Sequence, residues 1–298
     1  MCIEEMNRLV FESNVATVVN NDINFSSGIG KAFELTVLYI LKKIGELNKS
    51  LRELPFIFNY SGDLPQWMST TFEIKNLFSS RHIQEDYFFL NSFIEHEDNL
   101  STLINAANRT GPDGMLLLKY NENSDEKHYV LFLIGVKYSM STISNDVHKK
   151  NDKSILLENL FQKNEDRVDS EDSSRSNCYI FTKETCSENA SRLNENSIAS
   201  QYTNLLLNQL KAKVHLFRLL IEFDTSDKES ETNISRDTNT ITSFISASGF
   251  LKLLSDTISF LPEKSEKSEF KNVLNDFQSK LRNVLIFSVC LLLLFIVL

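Results

Sequence analysis

The sequence predicts an α/β fold in which a mixed β-sheet is flanked by helices and followed by a C-terminal helical tail. Apolar runs of strand length alternate with longer segments in which apolar residues recur at helical spacing, which is the pattern of such folds. The final segment, residues 284–298, carries no charge and only one hydroxyl side chain. With 298 residues, 42% of them apolar, the chain can bury a substantial core in one large domain or two small ones.

The first part of the predicted sheet domain contains one helix and three strands. Apolar spacing predicts a helix from about Lys31 to Leu47, and a short strand follows at Pro55–Tyr60. Residues 64–108 are rich in aromatic side chains and are expected to form helices and loops over the sheet. Two buried strands, Met115–Leu118 and Tyr129–Tyr138, are joined by a polar loop and form a hairpin.

The second part of the domain continues the alternation of helices and strands. A helix is expected over Ile143–Gln162, followed by an acidic, serine-rich loop over 164–177. A third sheet strand is predicted at Cys178–Thr182 and another helix at about Ile198–Lys211. The long apolar run Val214–Phe223 then predicts a further buried strand.

A change of composition after residue 224 predicts three parts of the chain. Residues 1–224 form the sheet domain, residues 225–267 form a linker that contains one helix, and residues 268–298 form the C-terminal helix. The helix within the linker is expected over Ile241–Leu261, where apolar residues recur at helical spacing, and Pro262 ends it.

The apolar tail, residues 284–298, has three interpretations. As a helix it would reach about 22 Å, whereas a span usually takes about 20 residues for a hydrocarbon core of about 30 Å. Lys280 and Arg282 flank it on the side that a C-terminal anchor would leave in the cytosol. The sequence favours a membrane anchor over a buried core helix or an altered end.

Charge and cysteine content narrow the classes of function. A formal net charge of -9 excludes binding of nucleic acid through the overall field, so any such contact needs a local basic patch. The four cysteines, Cys2, Cys178, Cys186 and Cys290, match no zinc spacing. The start of the chain is acidic rather than basic and lacks the pattern of a signal peptide, so an intracellular, reducing setting is expected.

Three charged residues occupy unusual positions within the predicted elements. Asp113 follows Pro112 and opens the first strand of the hairpin, and Lys137 lies in the second, otherwise apolar strand. Strand pairing can bring the face that carries Lys137 beside Asp113. A buried lysine needs a carboxylate partner because an isolated buried ammonium is costly. Glu34 begins an apolar stripe of the first helix, where an unpaired carboxylate is costly as well.

The order of predicted elements over residues 31–223, with Pro112-Asp113 and Lys137, resembles the PD-(D/E)XK nuclease-like superfamily. The resemblance implies a restriction-endonuclease-like fold and metal-dependent hydrolysis of phosphodiester bonds in nucleic acid. It implies that Glu34 and Asp113 hold Mg²⁺ or Mn²⁺ together with the carbonyl of Val136. It also implies that Lys137 positions and activates the attacking water.

The sequence departs from this family at Gly135, two residues before Lys137, where an acidic residue is expected. Gly135 has no side chain to offer a metal, so either another acid compensates or the site is a relic. Asp63, Glu73 and Glu158 are conceivable donors, and the sequence selects none of them.

Two functions of different classes therefore stay open. One is a metal-dependent nuclease acting on DNA or RNA. The other is a non-catalytic, membrane-tethered interaction protein that keeps the nuclease-like fold as a scaffold. The apolar tail and the net charge of -9 favour the second.

Overall fold

The structure is a computed structural model of the chain. It describes residues 13–15, 26–79, 100–105, 112–120, 128–139, 141–156, 214–235, 240–260, 271–279 and 281–283. Within these ranges the chain forms one seven-stranded mixed sheet with helices packed against it. The predicted α/β class is therefore confirmed.

The bounds of the elements are as follows. The helices are α1 (Ser26–Gly45), α2 (Asn145–Ser154) and α3 (Ala247–Phe260), and residues 271–279 are also helical. Short 3₁₀ turns lie at Leu51–Glu53 and Gln66–Ser69. The strands are β1 (Asn76–Ser79), β2 (Thr102–Asn105), β3 (Gly114–Tyr120), β4 (His128–Tyr138), β5 (Val214–Phe223), β6 (Glu231–Ser235) and β7 (Thr240–Ile245).

The strands are arranged in the order β1-β2-β3-β4-β5-β7-β6. The strands β2, β3 and β4 are successive antiparallel neighbours, whereas β4, β5 and β7 run parallel to one another. The remaining pairs are β1 parallel to β2 and β6 antiparallel to β7. The strands β3, β4 and β5 thus lie in the middle of the sheet, which explains why their sequences are almost continuously apolar.

Helices cover both faces of the sheet. On one face, Phe33 of α1 contacts Phe250 of α3 at 5.4 Å between ring centroids and Phe223 of β5 at 5.7 Å. On the other face, Arg218 of β5 donates to the carbonyl of Ile155, which directly follows α2, at 3.1 Å. The core between the sheet and α1 includes Phe132 and Phe217, whose rings stack at 4.4 Å.

Three expectations for central strands are confirmed. Met115–Leu118 lies within β3, Tyr129–Tyr138 lies within β4, and Val214–Phe223 coincides with β5. The expected helix from Lys31 is α1, which begins five residues earlier, at Ser26. The helix expected over Ile143–Gln162 is shorter than predicted, since α2 begins at Asn145 and ends at Ser154 with Ile155 as its C-cap, and residues 157–162 lie outside the described residues.

The strand expected at Pro55–Tyr60 is wrong. Phe56 and Phe58 are buried, so the apolar pattern does mark core residues. Their backbone does not join the sheet ladder, because the amide of Phe58 donates instead to Oγ1 of Thr232 at 2.9 Å. The backbone at Asn59 then adopts a left-handed conformation with a φ of 47°, which is not that of a strand. The expectation of helices and loops over 64–108 is wrong in part, since β1 and β2 lie inside that range.

The linker expected over residues 225–267 is also wrong for its first half. The strands β6 and β7 form an antiparallel pair within the sheet, and the helix expected over Ile241–Leu261 begins only at Ala247. The strand β6 looks like a linker in sequence because it lies at the end of the sheet order, where Glu231 and Asn233 are exposed and only Thr232 is buried.

Several predicted segments lie outside the described residues. They are the hairpin loop 121–127, the loop 164–177, the strand 178–182, the helix 198–211 and the tail 284–298. Across the ranges that the structure does describe, none of the helices combines the length and apolar character needed to cross a bilayer. The interpretation of residues 284–298 as an anchor stays a prediction.

Candidate functional site

Asp113 joins the two central antiparallel strands just before β3 begins. Its amide donates to the carbonyl of Ile134 at 2.8 Å, which continues the pairing of Gly114 with Ile134. Its side-chain Oδ2 accepts a hydrogen bond from the amide of Val136 at 2.7 Å. The Asp113 carboxylate therefore accepts the hydrogen bond of a β4 amide beyond the last residue pair of β3 and β4. This bond fixes the carboxylate at the end of the β3–β4 pairing.

Lys137 follows Val136 on β4 and is partly buried. Strand alternation places Lys137 on the same face as Gly135. The register of the parallel pair puts Lys137 beside Glu222 of β5. The positive charge of Lys137 lowers the pKa of the Glu34 carboxyl, as the smallest of the contributing effects. The predicted pairing of Lys137 with Asp113 stays a prediction.

Glu34 comes from the first half of α1, and its side chain is only 12% exposed. Burial and, second to it, the negative charge of Asp113 raise the pKa of its carboxyl from the ordinary 4.5 to about 7. The positive charges of Lys31 and Lys137 lower this pKa, but the raising effects prevail. The pKa of Glu34 thus responds to the charges of Asp113, just before β3, and of Lys137 on β4; we call Glu34, Asp113 and Lys137 the acidic site.

Gly135 lies where the missing acid of the resemblance would be. A Cβ atom added there would lie 3.0 Å from Cγ2 of Ile155, 3.2 Å from Cδ1 of Leu220 and 3.3 Å from Oδ1 of Asn151. A side chain at this position would therefore meet the packed surface between α2 and β5. Gly135 leaves no room for a side chain beneath Ile155, Leu220 and Asn151. An acidic residue at position 135 would therefore require these neighbours to shift.

The conceivable compensating acids do not complete the acidic site in the described structure. Asp63 is exposed in a loop, and Glu73 lies 3.3 Å from both the ammonium of Lys75 and Oγ of Ser101. Glu158 lies outside the described residues. In the described ranges, no group of three or more histidine, cysteine, aspartate or glutamate side chains is arranged to hold a metal ion.

The residues present still fit a weakly held divalent ion. Magnesium keeps several waters and is commonly bound through one or two carboxylates together with substrate phosphates. Glu34 and Asp113 supply two carboxylates, of which Asp113 has one oxygen bonded to Val136. The carbonyl of Val136 is the third donor that the resemblance implies.

Lys31 is a member of this region that the sequence interpretation missed. Its ammonium donates to Oε1 of Glu34 and lies 3.5 Å from Oδ1 of Asn105, a buried residue at the end of β2. A local signal was present, because residues three apart on a helix are neighbours and opposite charges there attract. Asn105 carried no such signal, since it is 74 residues away in sequence.

A second buried polar cluster surrounds Glu222, whose side chain is 1% exposed. Its carboxylate contacts Nδ1 of His148 at 2.8 Å, Nδ2 of Asn151 at 3.1 Å and the ammonium of Lys228 at 3.5 Å. These contacts tie α2 and the segment after β5 to the strand beside Lys137. Sequence reasoning missed this cluster because its members on α2 and β5 are more than 70 residues apart.

Comparisons with protein-family models, with curated proteins and with solved structures gave no match to this chain.

Proposed function

We propose that the chain is a metal-dependent nuclease-like protein that hydrolyses phosphodiester bonds at the acidic site. The observation that carries the proposal is that the charges of Asp113 and Lys137 both act on the buried carboxyl of Glu34. Glu34 lies on α1, Asp113 directly precedes β3 and Lys137 lies on β4. Two carboxylates and a lysine are the groups that a hydrolytic phosphate site with a divalent ion requires.

The topology supports a restriction-endonuclease-like fold for this site. In chain order, α1 is followed by β1 and β2, by the antiparallel neighbours β3 and β4 and by α2, and β5 runs parallel to β4. The resemblance implies the order helix, strand, strand pair, helix, strand, helix and strand. The elements α1, β2, the pair β3 and β4, α2 and β5 fit this order with β1 as an additional strand, and the strand 178–182 and the helix 198–211 lie outside the described residues. The first strand of that order is β2 rather than the segment at 55–60.

The roles of the residues follow from their chemistry. A bound Mg²⁺ or Mn²⁺ would neutralise charge that develops on the phosphate. Glu34 and Asp113 would hold that ion through carboxylate oxygens, and the hydrogen bond from Val136 orients the Asp113 carboxylate. Lys137 would position the water whose oxygen forms the new bond to phosphorus as the ester bond breaks.

Nucleic acid is the proposed substrate class. It would contact the protein through positive charges near the acidic site and not through the overall charge of the chain. Because the net charge is -9, approach of a polyanion is opposed by the chain as a whole. The positive charges that act on the Glu34 carboxyl are those of Lys31 and Lys137. Binding is therefore expected to be weak and to fall as salt rises.

Cleavage of plasmid DNA and of a single-stranded RNA in Mg²⁺ or Mn²⁺ tests the proposal. Asp113→Asn and Lys137→Met should lower the rate by about 100-fold or more, because each removes a charge that stabilises the transition state. Glu231→Gln on β6 and Lys149→Met on α2 are matched controls, since both side chains are exposed. Equal cleavage by all variants would show that the activity does not arise at the acidic site.

The alternative function is a non-catalytic scaffold that keeps the fold. It is favoured by the packing around Gly135 and by the structural bond between Asp113 and Val136, since both stabilise the fold without any chemistry. The proposed tether is the apolar segment 284–298. Membrane fractionation of the full chain and of a chain lacking this segment tests the tether, and a soluble full chain would contradict it.

A further inference from the structure

Lys31 connects the helix acid to the strand beside Asp113. Its ammonium is bonded to Oε1 of Glu34 on α1 and lies 3.5 Å from Oδ1 of Asn105 on β2. Asn105 is in register with Gly114, the residue next to Asp113. The ammonium thus lies at the boundary between α1, β2 and the start of β3, where the two carboxylates of the acidic site are found.

The lysine is the more accessible member of its ion pair. The side chain of Lys31 is 35% exposed, whereas that of Glu34 is 12% exposed. The carboxylate is therefore held in a partly closed site with a cation of the chain already bound to it. A cation from solvent that binds Glu34 has to compete with this ammonium for the same carboxylate.

We propose that Lys31 is an internal competitor of the divalent ion, so that the acidic site binds metal only when the ammonium leaves Glu34. The inference rests on the proposed function for the identity of the ion. Asn105 lies close enough to accept a hydrogen bond from the displaced ammonium, so the lysine stays near the site after the exchange. Lys31 is thus a positioning residue that sets how readily the site is filled.

The direction of the effect follows from charge alone. A divalent ion and the Lys31 ammonium repel each other, and both bind the same oxygen atom of Glu34. Replacement of Lys31 by methionine keeps most of the apolar length of the side chain and removes both the repulsion and the competition. The affinity for a divalent ion should therefore rise, although one hydrogen-bonding partner of Glu34 is lost.

The same helix provides a matched control. Lys43 forms an ion pair with Glu46 at 3.0 Å with the same spacing of three residues, near the other end of α1. Lys43→Met therefore removes a comparable charge away from the acidic site, while Glu46 keeps its ion pair with Lys42 at 3.1 Å. Lys31→Gln is a second test variant, because glutamine keeps a hydrogen-bond donor for Glu34 without the charge.

The experiment is a titration of the full chain with Mn²⁺ alone, with free Mn²⁺ measured by electron paramagnetic resonance. Lys31→Met and Lys31→Gln should bind Mn²⁺ about tenfold more tightly than the wild type, and Lys43→Met should bind like the wild type. The rise in melting temperature on addition of Mn²⁺ should also be larger in the two Lys31 variants. This second readout compares the melting temperature of each variant with and without Mn²⁺. A loss of stability caused by the substitution itself therefore does not affect it.

Equal or weaker binding by both Lys31 variants would overturn the inference while leaving the metal-dependent function intact. Absence of Mn²⁺ binding in every variant would overturn both. Tighter binding without any cleavage of nucleic acid would support the role of Lys31 and overturn the nuclease activity.

Discussion

The amide of Val136 donates a hydrogen bond of 2.7 Å to Oδ2 of Asp113. This bond gives Asp113 a structural role at the point where β3 separates from β4. Removal of an acceptor from a partly buried amide costs about 1–3 kcal/mol. Asp113→Ala should therefore lower the free energy of unfolding by about that amount.

Asp113→Asn separates this structural role from the charge. Asparagine keeps an acceptor for the amide of Val136, so the free energy of unfolding should stay within about 1 kcal/mol of the wild type. Mn²⁺ binding should nevertheless fall, because the carboxylate is gone. Urea unfolding and the Mn²⁺ titration measure the two effects. An asparagine variant as unstable as the alanine variant would contradict the assigned hydrogen bond.

Glu34 should make stability depend on pH in a specific direction. Its folded pKa of about 7 lies above the ordinary 4.5, so folding favours the protonated carboxyl. This contribution is fully present below about pH 4.5 and is lost as the pH rises through about 7. The free energy of unfolding of the wild type relative to Glu34→Gln should therefore fall by up to about 3 kcal/mol over this range.

Urea unfolding of both proteins between pH 5 and pH 8 measures this difference, since groups common to both cancel. Parallel stability curves would contradict a raised pKa at Glu34. Saturating Mn²⁺ should reduce the difference above neutral pH, because metal binding favours the ionised carboxylate.

Substitution of Gly135 should destabilise the fold, because neighbouring side chains fill the space that a Cβ atom would occupy. Gly135→Ala places a Cβ atom 3.0 Å from Cγ2 of Ile155 and should lower the free energy of unfolding by about 1–3 kcal/mol. Ile155→Ala removes that methyl group. The cost of Gly135→Ala should therefore be smaller in the Ile155→Ala background, which a double-mutant cycle in urea measures. Additive effects would show that the two residues do not compete for space.

His148 should stabilise the fold through Glu222. Because Glu222 is almost completely buried, loss of one of its partners leaves its carboxylate less well compensated. His148→Ala should lower the free energy of unfolding by about 1–3 kcal/mol, whereas the exposed Lys149→Ala should change it by less than about 0.5 kcal/mol. Similar values for the two variants would contradict the role assigned to His148.

The central strands were predictable because each is a short apolar run buried on both faces. The strand β6 was not, because it lies at the end of the sheet order and owes its pairing to β7. The segment Thr240–Ile245 contains β-branched residues that favour a strand, but its apolar residues also continue the helical spacing of α3. The pairing of β7 with β5 and with β6 resolves this ambiguity, and the spacing of the apolar residues does not contain that information.

The part of the candidate site that depends on strand geometry and helix spacing was predictable from the sequence. The placement of Asp113 beside β4 follows from the hairpin, and Glu34 was indicated by its position on an apolar helix stripe. The packing over Gly135 was not predictable, since it depends on Ile155 and Leu220 from two other elements. Lys31 could have been found from its spacing to Glu34.

Titration of the Glu34 carboxyl, followed by carbon-13 NMR with and without Mg²⁺, tests the shared metal site most directly. Glu34→Gln assigns the signal. The carboxyl should titrate at about pH 7 without Mg²⁺ and about one unit or more lower at saturating Mg²⁺. Asp113→Asn should lower the metal-free pKa and weaken the effect of Mg²⁺, because Asp113 raises this pKa and shares the ion. The same titration curve with and without Mg²⁺ would contradict a shared metal site at Glu34 and Asp113.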